Sequence, residues 1–372
     1  MEWLVILKCL EKFMKVSIGS RIINGPWGGG NLFVLNLKNY LIQNGHQVIH
    51  DLCDKKIDII LLTDPRSRKE SSSTFNHEDI KKYKKFVNPN VTVIQRINEC
   101  DERKGTDFIN NFYLEASKSV DHVIFVSEWL RSIYTNIGMP KNKTSVIMSG
   151  ADKKIFNNLN LVDFDRNKIK FVTHHWSDHK NKGFETYLKF DNLLSKPEYK
   201  NIQFTYIGNV PDDIKFVNTK IKKPLSGEEL ASEIKKNNIY LTASINEPSG
   251  NHHIEAAQCG LPILYFNSGG IPEYCDSFGL KFENNFEEKL NEIINNFYLY
   301  KEALKSYPFS SDLMCSEFFE KFCEVKNNKL VIEKKVNFIF KYLYLLKNII
   351  QKFITSFTIK QHIKVYFKSI IK

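Results

Sequence analysis

Glu247-Pro248-Ser249-Gly250-Asn251-His252-His253-Ile254-Glu255-Ala256-Ala257-Gln258-Cys259-Gly260-Leu261-Pro262 is the stretch on which the reading turns. It follows the apolar run 239–242, which reads as a strand, and precedes another at 262–265. Residues 252–259 read as a helix. Glu247 then ends a strand-to-helix loop, and Glu255 lies about one turn into the helix. The two carboxylates fall on one side, with the amides of Gly250–His253 between them at the helix start. A carboxylate accepts several hydrogen bonds and suits a hydroxyl-rich ligand. Free amides at a helix N-terminus suit phosphate. An isolated pair of this kind equally fits a helix cap and a solvated helical residue.

Working outward, the same grammar of short β-branched runs and amphipathic helices occurs twice. In the second half, strands are expected at 170–173 and 203–207, before the pair already named. Helices are expected at 184–194, 228–236, 286–296 and 313–325, the last two closing the unit. In the first half, strands are expected at 15–18, 47–51, 57–63, 91–96, 122–126 and 145–148. Helices are expected at 31–43, 78–86, 107–119 and 128–137. Strands that alternate with helices build parallel sheets covered on both faces. The expected division is an N-terminal extension at 1–13, a first Rossmann-like domain at 14–150, a polar linker at 151–168, a second Rossmann-like domain at 169–328 and a tail at 329–372. Two doubly wound sheets facing each other leave their strand C-termini lining one cleft, where such folds bind ligands.

The glycine-rich loop Gly25-Pro26-Trp27-Gly28-Gly29-Gly30 follows the first strand and opens the first helix. It fits a tight turn or a ligand loop whose amides approach a phosphate.

The chain has 372 residues, 42% hydrophobic and 26% charged, which is a globular composition long enough for two domains. No uncharged apolar run approaches the roughly 20 residues that cross a bilayer. Seven scattered cysteines form no Cys-x-x-Cys pair, which argues against a disulfide framework and for a reducing, cytoplasmic setting. His175 and His179 have metal-ligand spacing but span a loop, and the adjoining His252 and His253 are expected to point apart on a helix. No metal and no cofactor are expected.

The net charge of +11 is uneven, because residues 329–372 hold ten lysines and a single acid, Glu333. Residues 336–358 place Ile339, Leu343, Leu346, Ile350, Phe353 and Phe357 on one helical face. Beyond them Lys360, Lys364, Lys368 and Lys372 form a stripe. The pattern reads as a basic amphipathic helix that lies on an anionic membrane, or that packs in part across the first domain. The tail lacks arginine, which argues against nucleic acid.

Six stretches together resemble the retaining glycosyltransferases of family 4, which have the GT-B fold. Glu247 and Glu255, followed by Ala256, Gly260 and Pro262, resemble the E-x7-E signature. Gly28–Gly30 with Gly45-His46-Gln47-Val48 resembles the opening glycine motif. Residues 121–131, Gly150-Ala151-Asp152 through Phe156, Lys182-Gly183 and Ser268–Glu273 resemble further family segments in the same order. The resemblance covers about residues 14–325. It implies transfer of a sugar from a nucleotide-sugar to a glycan or lipid-linked saccharide with retention and without a metal, in surface polysaccharide or glycoconjugate synthesis. Glu247 would bind donor-sugar hydroxyls and Glu255 the nucleotide ribose. Lys182 would neutralise the diphosphate, helped by amides of Gly28–Gly30, Gly250 and Asn251, with Lys180 and His252 nearby.

Two departures bear on the site. Many relatives place an arginine shortly before Lys-Gly, where this chain has His174, His175, His179 and Lys180. Many also carry a histidine after the fourth strand, where this chain has Asn98. The loop residues Asn98, Asp101 and Arg103 are candidate contacts to donor or acceptor. Two other readings are a degenerate GT-B protein that binds glycan or nucleotide-sugar without turnover, and a GT-B sugar-nucleotide epimerase.

Overall fold

The computed structural model describes residues 13–23, 28–67, 71–333 and 336–355, the last five as backbone alone. The extension 1–12, Gly25–Trp27 of the glycine loop, and the lysine stripe from 360 onward lie outside the described residues.

Strands β1 (Lys15–Ile18), β2 (Gln47–Ile49), β3 (Ile59–Leu62), β4 (Thr92–Ile97), β5 (His122–Phe125) and β6 (Thr144–Val146) form one sheet in the order β2-β1-β3-β4-β5-β6. Strands β7 (Ile169–His175), β8 (Ile202–Gly208), β9 (Lys220–Lys222), β10 (Ile239–Thr242), β11 (Ile263–Phe266) and β12 (Gly279–Phe282) form the second, in the order β12-β11-β10-β7-β8-β9. All pairings are parallel. The sequence explains the parallel arrangement. Central strands such as Ile59-Ile60-Leu61-Leu62 are buried on both faces and carry no polar alternation. The two domains of the GT-B fold are therefore present as expected.

The helices expected from 128, 184 and 286 start there, and the other expected helices start within two residues of the expected position. The helix Gly29–Gln43 takes in Gly29 and Gly30, which the sequence reading placed in a loop. The helix expected over 107–119 is present as Ile109–Ser117, and a further short helix, Asp101–Lys104, precedes it and ends where Gly105 turns the chain at φ 67°.

One helix changes domain. Ser311–Asn328, expected to close the second unit, packs on the first. Its Met314, Phe318 and Phe322 join Phe33, Leu37 and Leu41 of Gly29–Gln43 in one apolar cluster under the first sheet. The crossing point is tight. Ala151 N donates to Phe309 O at 3.2 Å and Ser311 N to Ala151 O at 2.8 Å. A side chain at Gly150 would strike the Ser310 carbonyl. Periodicity fixes which face of a helix is apolar, not which of two sheets it covers.

The opposite face of the first sheet carries the helices His77–Phe86, Ile109–Ser117 and Glu128–Asn136, with Tyr83, Tyr113 and Tyr134 at their core. The tail helix Phe338–Thr355 packs there too, through Leu345 and through rings of Phe340 and Tyr344 against Phe86. Among the described residues no helix is long and apolar enough to cross a membrane.

Candidate active site at the interdomain cleft

In the second sheet the chain runs outward from β7 through β8 to β9, then returns beside β7 as β10 and continues the other way. The crevice between the C-terminal ends of β7 and β10 is thus the topological switch point, the place such sheets bind ligands. Lys182 lies on the loop after β7. Glu247 lies on the loop after β10, and Glu255 on the helix Asn251–Gln258 that follows.

The Glu247 loop is held rigidly. Gly270 N donates to the Glu247 carbonyl at 2.9 Å, Ser268 Oγ accepts from Asn246 N at 2.9 Å, and Asn181 O accepts from Ile245 N at 2.8 Å. The segment Ser268–Gly270 therefore serves as a bed for Glu247. A side chain at Gly269 would come within 2.7 Å of Glu247 N. Gly183 has φ 88°, and a side chain there would collide with the Ala243 carbonyl, so only glycine lets the Lys182 turn approach β10 this closely.

Glu247 stands between two cations. Lys182 Nζ lies 2.6 Å from Oε2, and Arg103 Nε lies 3.1 Å from Oε1. Arg103 belongs to the first domain and is itself held by Glu99 at 2.5 Å. Glu247 is 7% exposed, and burial alone would raise its carboxyl. The Arg103 and Lys182 charges overcome that and hold it well below the usual carboxylate range. Burial draws Lys182 downward, with Glu247 opposing. Burial likewise opposes the charge on Arg103, but Glu247 and Glu99 more than compensate and raise it. The four groups Glu99, Arg103, Glu247 and Lys182 alternate in sign across the cleft.

Other predicted residues fall into place unevenly. Glu255 is buried, and His174 Nε2 lies 2.9 Å from its Oε2. Tyr240 OH lies 3.1 Å from the other nitrogen of His174, which fixes the ring. Gly250 ends the loop at φ 74° and begins the Asn251–Gln258 helix without a side-chain cap. Gly29 faces Asn251 across the cleft so closely that a side chain would come within 2.8 Å of Asn251 Oδ1. Gly28 and Gly30 have open space where a side chain would stand. Lys180 is exposed, and Asn98 is half-buried beyond the end of β4. Asp101 is used within its own domain. It accepts from Thr106 Oγ1 at 2.6 Å, Ile109 N at 2.9 Å and Asn110 N at 3.0 Å, and so caps the Ile109–Ser117 helix.

The histidines correct the sequence reading. His174 and His175 end β7 rather than lying in a loop. His252 and His253 do not point apart. Their ring centroids are 4.9 Å apart, and His175 lies 4.6 Å from His252. Adjacent helical residues diverge by only about 100°, and both fall within a helix buried from His252 to Ala257. Hydroxyls occupy several ring nitrogens: Tyr187 OH lies 2.7 Å from His175 Nε2, and Thr242 Oγ1 lies 2.8 Å from His252 Nε2. Burial lowers all three, His253 to about 3 and His175 and His252 well below 6.5, so they are neutral imidazoles at pH 7. Among the described residues no group of three or more His, Cys, Asp or Glu is placed to hold a metal ion.

Sequence reasoning did not anticipate how the domains lock together. Glu273 of the second domain accepts from Glu128 N and Trp129 N, each at 2.7 Å, and so caps the helix Glu128–Asn136 of the first. Beside it the Tyr274 hydroxyl donates to Val126 O at 2.5 Å and accepts from Ser149 N at 2.9 Å. On the other flank Asn181 Nδ2 donates to Arg103 O at 2.9 Å and Asn246 Nδ2 to Glu102 O at 3.1 Å.

Comparison with known proteins agrees with this geometry. No curated protein matches the sequence. A glycosyltransferase from Rickettsia africae is similar in structure, with TM-score 0.61 at 15% identity over 86% of this chain and 100% of that one. Sucrose-phosphate synthase from Thermosynechococcus elongatus matches with TM-score 0.60 at 14% identity over 85% of this chain and 100% of that one. The Anabaena protein HepE, in complex with UDP and glucose, matches with TM-score 0.59 at 12% identity over 83% and 99%. At these identities the likeness shows the fold. Residues 177–307 of the second domain, which carry Lys182, Glu247 and Glu255, match the family model of the glycosyl transferases group 1.

Proposed function

We propose that the chain is a glycosyltransferase that moves a sugar from a nucleotide-sugar to a saccharide acceptor, with retention at the anomeric carbon and without a metal. The observation that carries the reading is the placement of Glu247 between Lys182 and Arg103 at the switch point of a domain that matches the glycosyl transferases group 1. In the reaction the bond from the anomeric carbon to the diphosphate breaks, and the nucleoside diphosphate leaves with the electron pair. The acceptor hydroxyl forms the new bond on the same face and gives its proton to the departing phosphate oxygen. Negative charge grows on the diphosphate. Lys182 and Arg103 are the cations that meet Glu247 at the switch point and would face that charge, and the uncapped amides at Gly250–Asn251 add to them. Each well-aimed donor stabilises such charge by about 3 kcal/mol. Arg103 thereby supplies, from the first domain, the second cation that many relatives place before Lys-Gly. Glu247, relieved of its cations by the diphosphate, turns to the sugar hydroxyls. Glu255, oriented by His174, holds the ribose.

The exposed side of the tail helix supports a place at a membrane surface. Ile339, Leu343, Leu346 and Ile350 are 65%, 57%, 54% and 50% exposed. Lys347 and, on the helix His77–Phe86 against which the tail helix packs, Lys82 and Lys85 are exposed. An anionic bilayer complements both features. An acceptor drawn from that surface would be a lipid-linked saccharide.

The test is thermal denaturation of the full chain against UDP-, GDP-, ADP- and CMP-sugars with EDTA present. UDP-glucose and its congeners come first, since HepE is known with UDP and UDP-glucose. A ligand that binds the native state raises the melting point by mass action. The expected result is a shift with one donor class that Glu255→Ala abolishes, and turnover that Lys182→Ala lowers roughly 10²-fold or more. Binding without turnover across acceptors would instead favour a non-catalytic binder, and a product that stays nucleotide-linked would favour an epimerase.

A further inference from the structure

Leu330, Val331 and Ile332 are three consecutive apolar residues turned to solvent, 86%, 79% and 55% exposed. They lie on the segment that joins the helix Ser311–Asn328, on one face of the first sheet, to the tail helix on the other. The chain there is held tightly. Lys326 Nζ lies 2.6 Å from Asp58 Oδ1, just before β3. Lys329 Nζ donates to Val91 O, just before β4, and to Asp121 Oδ2, just before β5, each at 2.6 Å. Asn90 takes both backbone groups of Ile332: its Oδ1 accepts from Ile332 N at 2.7 Å, and its Nδ2 donates to Ile332 O at 3.1 Å. The segment is thus a strap drawn across the N-terminal edge of the first sheet and pinned on both sides of the triplet. Its fixation uses the Lys329 side chain and the Ile332 backbone, so Leu330 and Val331 add nothing to it. Polar residues at 330 and 331 would serve the fold as well. Contiguous apolar side chains left in water mark a contact site.

Two observations identify the contact as lipid. The first is charge. Residues 325–355, which include the strap and the tail helix, hold seven lysines and a single acid, Glu333. The cores of protein interfaces are depleted of lysine. At a bilayer, by contrast, lysine stems lie along the apolar layer while their ammonium groups stay among the headgroups. The second is continuity. Asn90 lies four residues past Phe86, the ring against which Phe340 of the tail helix packs. The strap and the exposed side of the tail helix therefore meet at the same end of the helix His77–Phe86.

We propose that Leu330–Ile332 is a membrane-inserting strap, a second point of contact with an anionic bilayer besides the tail helix. The inference rests on the membrane reading above and adds an orientation to it. A helix lying in the interface plane leaves the attached domain free to roll about the helix axis. The tail helix runs along His77–Phe86, from Phe86 to the carbonyl of Asp79, whereas the strap runs across the strand ends. Two contacts that run in different directions stop the roll and hold the interdomain cleft at one angle to the surface.

The experiment uses the full chain with vesicles of phosphatidylcholine and phosphatidylglycerol, in three forms: wild type, Leu330→Ser/Val331→Ser and Val331→Trp. Co-sedimentation, melting temperature without vesicles, light scattering for mass, and tryptophan quenching by lipids brominated in the acyl chain are read. The serine variant keeps every charge, so it isolates the apolar contribution. It is expected to bind vesicles at least ~10-fold more weakly than wild type, since several buried CH₂ groups are lost. Its melting temperature should match wild type, because both side chains are exposed. Val331→Trp should add emission that the brominated lipids quench. The inference falls, and the membrane reading stands, if the wild type pellets, the serine variant pellets equally and Val331→Trp adds no quenched emission. A wild type that does not pellet overturns both. The inference also falls if the serine variant melts lower, or if the emission added by Val331→Trp is already blue-shifted without vesicles, since the protein itself would then cover the strap. A dimer that the serine variant dissociates would overturn it as well, by making a second copy the partner.

Discussion

Arg103 and Glu247, 144 residues apart in sequence and in different domains, meet at 3.1 Å across the cleft. On its far side the same carboxylate holds Lys182 at 2.6 Å. Removing Glu247 leaves two largely buried cations facing each other. Glu247→Ala is expected to cost about 3 kcal/mol of stability in urea unfolding, the scale for breaking a buried pair from one side. It should also abolish transfer. Arg103→Met removes one of the two cations, so the double variant Arg103→Met/Glu247→Ala should lose less stability than the two single losses added together. Simple additivity would show that the pair is not coupled.

The histidines set the response to acid. His175, His252 and His253 are buried with folded values depressed below 6.5, His253 to about 3. Below about pH 6.5 the unfolded chain takes up protons on these rings and the native state does not. Stability is therefore fully present above 6.5 and is lost as pH falls toward the folded values. The slope is about 1.4 kcal/mol per pH unit for each ring. Glu247, depressed below the ordinary carboxylate value, acts in the same direction below about pH 4.5. Urea midpoints measured from pH 7.5 to 4.5 should fall steeply, and His253→Phe should flatten the slope by one proton. A slope that His253→Phe leaves unchanged would mean this ring titrates normally.

Glu273 and Tyr274 control whether the domains stay together. Glu273→Ala exposes the amides of Glu128 and Trp129, and Tyr274→Phe leaves Val126 O and Ser149 N without their partner. Each loss weakens the closed arrangement by about 1–3 kcal/mol. The double variant should show a larger radius of gyration in solution scattering and faster amide exchange at Glu128 and Trp129. Unchanged scattering would mean that the remaining contacts, the backbone crossing at Ala151 and the Arg103, Asn181 and Asn246 bonds, suffice to hold the domains.

These contacts also mark what the sequence could and could not tell. Strand runs such as 239–242 and helices such as 128–137 were readable because burial imposes a period on side chains. The Lys182-Gly183 turn and the Glu247–Glu255 spacing were readable because each is local. β9, Lys220–Lys222, escaped notice as a short, lysine-rich edge strand without an apolar run. β12 opens on Gly279, whose place against Ile263 admits no side chain. The Arg103–Glu247 pair and the Glu273 cap depend on how two domains dock, and no periodicity encodes that. Arg96 falls within the strand expected at 91–96, and only the structure shows its burial beside Phe33.

The tail helix divides its faces in a way that makes membrane binding separable from folding. Tyr344 OH donates to Asp79 O at 3.1 Å, Asn348 Nδ2 donates to Leu52 O at 3.2 Å, and Leu345 is 7% exposed, so this face is the anchor to the first domain. The apolar stripe expected from the sequence, including Leu343 and Leu346, is the face turned to solvent. Leu343→Asp/Leu346→Asp should therefore leave the melting point within about 0.5 kcal/mol of wild type in stability terms, as surface changes usually do. In co-sedimentation with vesicles containing anionic phospholipid, the wild type should pellet and the variant should not, because each aspartate removes apolar area and adds repulsion. High salt should weaken the wild-type interaction without abolishing it, since the basic residues supply only part of the attraction. Leu345→Asp is the contrasting change. It strikes the anchor face, so it should lower stability and loosen the helix from the first domain. If Leu343→Asp/Leu346→Asp pellets like wild type, the exposed stripe is not the membrane face.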